Sequence, residues 1–176
     1  MQGRHQEAVF YFDKAAFLNP GFVAAYFNKG NALKAMDRLS EAEEQYRKAI
    51  ALDPQFAEGW LNLGVACGLQ EQLEESELCF SRAVELDACN TDAMLLLGNQ
   101  LMGQKRFDEA IECFKRIIAI DPDHYLAYNS LGIAWLSVME SANAFQALYE
   151  ALRIKPDLTS ALSNIGIACR DLERQD

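Results

Sequence analysis

Small, apolar and aromatic residues return along this chain with a fixed period. Gly30, Gly64, Gly98, Gly132 and Gly166 each stand 34 residues apart. Four residues before each glycine come Tyr26, Trp60, Met94, Tyr128 and Leu162, and directly before it Lys29, Leu63, Leu97, Leu131 and Ile165. Ala42, Ser76, Ala110 and Ala144 follow at one constant offset, Tyr46, Phe80, Phe114 and Leu148 at a second, and Ala49, Ala83, Ile117 and Ala151 at a third. Pro20, Pro54, Pro122 and Pro156 keep the same lattice, with Ala88 in the one place where a proline is missing. Each period reads as two helices joined by a short turn. Proline cannot continue a helix interior, so it closes each second helix.

The columns have separate physical tasks. Glycine in the first helix and alanine in the second let paired helices approach closely, while the aromatic column fills the space between layers. One such pair cannot bury its apolar face alone, so the core comes from stacking. Acidic residues such as Glu41, Glu74, Glu75, Asp108 and Glu109 fall in the first turns of second helices, where they complement the helix dipole. Ser40 with Glu43 predicts a capping box. Lys29 breaks an apolar column, and Ala88 is expected to leave its corner less rigid. Ile117, in an alanine slot, should push two helices apart. Ser141, where Leu39, Leu73 and Phe107 supply an apolar turn residue, predicts a loose turn.

This pattern resembles the tetratricopeptide repeat (TPR), whose signature W-x2-L-G-x2-Y…A-x3-F…P recurs about every 34 residues. The resemblance implies an all-α fold, an α-α superhelix. Residues 23–56, 57–90, 91–124 and 125–158 are full repeats of a single domain spanning 1–176. Residues 1–22 read as the second helix of a partial repeat, with Ala8, Phe12, Ala15 and Pro20 in the matching columns, and 159–176 as a terminal first helix. It further implies that first helices line a concave face that holds a protein or peptide.

Composition narrows the partner. The net charge is −10, which disfavours phosphate backbones and anionic membranes, so nucleic acid is not expected as a partner. No apolar run approaches the ~20 residues that span a bilayer, and the start lacks the basic, apolar and small-residue layout of a secretion signal. The five cysteines form no C-x-x-C pair, so a reducing, cytoplasmic setting is expected, with no metal and no cofactor. Neither His5 nor His124 sits in a ligand set, and no catalytic residues stand out, so the chain reads as a scaffold and not an enzyme.

Carried onto the first helices, the resemblance places Asn28, Asn31, Asn62, Asn99, Asn129 and Asn164 on the inner face, with Phe27, Leu61, Leu95 and Lys34. Asparagine both donates and accepts, so such a face can pair with the backbone of an extended peptide. The family's carboxylate-clamp slots read Phe27, Asn31, Asn62, Asp92 and Leu96, without their cations, so that subtype is not expected. The asparagine two before the glycine, at Asn28, Asn62 and Asn164, is similar to the ladder in O-GlcNAc transferases, which leaves a regulatory module of a larger glycosyltransferase as one alternative. Self-assembly is another, because Phe10, Phe12 and Phe17 lie on a helix that lacks its partner. Either upstream chain or a second copy would cover that face, or the helix stands frayed and partly exposed.

Overall fold

A computed structural model describes residues 2–174; of the expected span, residues 1, 175 and 176 lie outside the described residues. The described residues form ten α-helices and no strand: α1 Gln2–Leu18, α2 Val23–Ala35, α3 Leu39–Leu52, α4 Ala57–Leu69, α5 Leu73–Leu86, α6 Thr91–Gly103, α7 Phe107–Ile120, α8 Tyr125–Ser137, α9 Ser141–Ile154 and α10 Thr159–Glu173. They divide into two compact units, Met1–Asn90 and Thr91–Asp176. In the first, each of α1 to α5 packs on its neighbour in sequence, and the first helices α2 and α4 also touch. In the second, α6 to α10 do the same, with α8 touching both α6 and α10.

The glycine column sets the helix-pair distance. A Cβ at Gly30 would lie 2.6 Å from the Tyr46 ring, at Gly64 2.7 Å from Phe80, at Gly98 2.6 Å from Phe114, and at Gly132 2.5 Å from Leu148. The facing column is buried, with Tyr46, Phe114 and Leu148 fully enclosed. So are Ala42, Ala49, Ala83, Ala110, Ala144 and Ala151. Gly166 faces open space, because no second helix follows α10 among the described residues. Lys29, the charged outlier, reaches Asp13 on α1 at 2.6 Å. Ile117 is completely buried.

The intra-repeat turns share one backbone. Asp37, Glu71, Lys105 and Met139 all have positive φ, between 60° and 64°. The residue after each donates its N–H back across the turn: Arg38 to Leu33, Gln72 to Cys67, Arg106 to Leu101 and Glu140 to Trp135. These are Schellman closures with a non-glycine residue in the left-handed position. The fourth turn is therefore not loose: Ser141 opens α9 and is 3% exposed. The capping box is not formed either. Arg38 precedes α3 and no side chain caps it, while the Ser40 hydroxyl donates to Gln70 Oε1 at 2.7 Å.

Three of the inter-repeat corners are Asx turns built on an aspartate. The carboxylates of Asp53, Asp87 and Asp121 accept the N–H of Gln55, Cys89 and Asp123 at 3.0, 3.1 and 3.2 Å. The Ala88 corner thus has the same turn as its proline counterparts. Polar tips in the column four residues before the glycine add a tie: Trp60 Nε1 donates to the Pro54 carbonyl at 3.0 Å and the Tyr26 hydroxyl to that of Pro20 at 3.2 Å.

Two glycines give opposite outcomes. At Gly64 an alanine meets the Phe80 ring and, at 3.1 Å, Cys79 Cβ, so Gly64→Ala should cost about 1–3 kcal/mol through overpacking. Gly166→Ala should gain about 0.5–1 kcal/mol from helix propensity alone. Urea midpoints of the two variants moving in the same direction would contradict this packing account.

Candidate functional site

The face carried by the first helices was built from six asparagines, three apolar residues and one lysine, and the structure sorts them. Asn28 on α2 is exposed, and its side chain makes no hydrogen bond among the described residues. Asn31, half-buried, accepts from the Tyr46 hydroxyl at 2.8 Å. Asn62 on α4 accepts from Lys34 Nζ at 2.7 Å, and its amide donates to the Glu58 carbonyl at 3.0 Å. Leu61 is half-buried on the same helix. Phe27 belongs to the core instead: it is 7% exposed, edge-on to Phe56 with ring centroids 4.9 Å apart. It therefore cannot present a surface to a peptide.

In the second unit Asn99 is exposed and accepts weakly from the Ser130 hydroxyl at 3.4 Å. Asn129 is buried, 8% exposed, and accepts from Ser160 at 3.3 Å, so it ties α8 to α10 rather than facing a ligand. Leu95 and Asn164 are half-buried. On α1, Phe10 and Phe17 are 53% and 85% exposed. Phe12 instead turns inward against the core of the first unit, as its place in the column of Tyr46 and Phe80 demands.

A second gathering of chemistry-bearing groups lies between α3, α4 and α5. Ligand-type atoms of Glu43, Cys67 and Glu75 lie within 4.8 Å of one another, the one such group of three among the described residues. Arg47 already occupies it, reaching Glu43 at 2.9 Å and Glu75 at 2.6 Å. Burial, reinforced by both carboxylates, pushes the Cys67 thiol up to about 11. A protonated thiol beside two guanidinium-paired carboxylates fits a structural network better than a cation site. Burial also pushes Cys79 up to about 12 and raises Cys113. His124 is an N-cap: its Nδ1 accepts the Ala127 N–H at 3.1 Å at the start of α8.

Sequence reading missed Tyr46 and Arg47 as organisers. Tyr46 stood in a packing column, and only its hydroxyl, the sole polar tip in that column, marked it. Ser76 was likewise the polar member of an alanine column; buried, it donates to the Gly64 carbonyl at 2.8 Å.

Models of the tetratricopeptide repeat match residues 57–88 and 91–124, and a further TPR-repeat model matches 30–70. Comparison with curated proteins gave no match. Among solved structures the chain is similar to YrrB, described as a TPR protein with an unusual peptide-binding site: 27% identity over 92% of this chain and 83% of that one, TM-score 0.81. It is also similar to MamA, with 25% identity over 88% of this chain and 90% of the other, TM-score 0.82. The chain belongs to the tetratricopeptide-repeat family. Its fold is the all-α helical-hairpin solenoid of that family, a fold that supports protein interaction. No helix among the described residues is long and apolar enough to cross a membrane.

Thiol chemistry checks the burial. Cys89 and Cys169 are exposed, whereas Cys67, Cys79 and Cys113 are buried. Iodoacetamide at neutral pH should therefore modify the first two in the native protein and all five cysteines only in denaturant, read by intact mass. Native modification of Cys67 would place it outside the Arg47 network.

Proposed function

We propose that the chain is a non-catalytic scaffold whose repeats, taken as one domain, hold an extended peptide segment of a partner protein along the first helices. The observation that carries this reading is Asn28: an exposed amide with both its donor and its acceptor unspent, on a helix that touches α4 with its half-buried Leu61 and Val65. An amide of this kind bonds main chain whatever the side chains, and the aliphatic residues accept apolar side chains. The likeness to a peptide-binding TPR protein supports the same reading. The face is uncharged at these positions although the protein is acidic. In the second unit Asn99 and Leu95 are the candidates that remain, with Asn164.

Immobilised protein should retain peptides from a randomised octapeptide pool. Asn28→Ala should weaken retention by about tenfold, the worth of one or two hydrogen bonds, with little change in melting temperature. Undiminished retention would remove that amide from the site.

A second reading is self-association through α1. Phe17 and Leu18 are 85% and 82% exposed and Phe10 and Tyr11 more than half exposed, an apolar surface of the kind that marks an interface. Light scattering should give a mass that rises with concentration and reverts to a monomer in Phe17→Asp. Phe12→Asp is the wrong probe, because it would damage the core. A monomer at all concentrations excludes this reading.

A further inference from the structure

Most cations of this acidic chain are matched by a carboxylate. Lys29 reaches Asp13, Lys48 reaches Glu44 and Lys115 reaches Glu112; Arg38, Arg82, Arg106 and Arg153 each pair with a glutamate one turn away. Lys34 is different. Its half-buried ammonium donates to an amide, Asn62 Oδ1 at 2.7 Å, and stands 6.0 Å from the centroid of the Tyr46 ring. Burial lowers its pKa, and among the described residues it makes no ion pair with a carboxylate. A charge taken partly out of water is costly unless it is paired. Here an amide dipole and a ring face supply only part of what an anion would.

The neighbours of Lys34 are arranged to receive one. The Tyr46 hydroxyl donates to Asn31 Oδ1 at 2.8 Å, which uses the acceptor end of that amide and leaves its Nδ2 as the donor. Asn62 is held in place by its own bond to the Glu58 carbonyl. The donors thus come from α2, while α3 and α4 fix their orientation. All three helices belong to one compact unit.

We infer that Lys34, with Asn31 beside it, receives one carboxylate from an aspartate or glutamate side chain of the bound peptide. The inference rests on the peptide-binding reading and names the ligand chemistry of its first unit. The carboxylate would accept charge-assisted bonds from the ammonium and a further bond from Asn31 Nδ2. A side chain is the source because Leu61 and Asn62 on α4 carry the same face onward, so the peptide does not end at Lys34. The net charge of −10 repels strongly acidic segments, so the segment selected has a single acidic residue among neutral or basic ones.

The test uses the whole chain and randomised octapeptides prepared with amidated or free carboxyl ends. From the amidated pool the protein should enrich aspartate and glutamate at one position by at least about fivefold over asparagine and glutamine, the scale of a charge-assisted bond. Lys34→Met keeps the apolar stem and should bring that enrichment back to the input level. Equal enrichment by Lys34→Met, or none by the unaltered protein, overturns the assignment. Enrichment confined to free carboxyl ends overturns the side-chain source. Failure of the unaltered protein to retain any peptide would instead overturn the peptide-binding reading itself.

Discussion

In both units a large side chain of the second helix lies directly on a glycine of the first. Tyr46, Phe80, Phe114 and Leu148 all come so near that a single added carbon would overlap them. Close approach of this kind maximises dispersion contacts along the whole hairpin, and it works only if the alanine columns keep the rest of the seam equally tight. The turns follow from it. With the separation of the two helices fixed, the connection must reverse direction in very few residues. The left-handed conformation of Asp37, Glu71, Lys105 and Met139 is the cost of that reversal.

Surface chemistry is arranged around the same seam. Second helices start with Glu41, Glu74, Glu75, Asp108 and Glu109 in their first turns, which places much of the negative charge at one kind of helix end. First helices carry amides and aliphatics and few charges. The separation leaves the first helices nearly neutral in an acidic protein, and it makes Lys34, a half-buried ammonium bonded to an amide, conspicuous.

The helix order and the packing columns were legible in the sequence, because each column has one environment and one permitted size. The site was legible only in part. A first-helix residue can face either the surface or the seam with the next first helix, and its offset from the glycine does not say which. Asn129 and Ser163, each three residues before a glycine, show the two outcomes: one is enclosed and bonded to Ser160, and the other stands in water. The deciding contacts join residues far apart in sequence, Lys34 to Asn62 across 28 positions and Asn129 to Ser160 across 31. Local departures misled for a related reason. Ser40 looked like a cap, but its hydroxyl finds Gln70. Ser141 looked like a weak turn, but the bonds that close that turn are made by main chain.

The closures of the hairpins are all short-range. Arg38 bonds back to Leu33, Gln72 to Cys67, and the Asx turns span only two residues. Forming any one hairpin therefore closes a small loop and loses little chain entropy, and it needs no distant segment as a template. Folding can begin at whichever hairpin forms first and spread to its neighbours. A partner that gripped two adjacent first helices would stabilise the hairpins it touched, and binding and local order would then be thermodynamically linked.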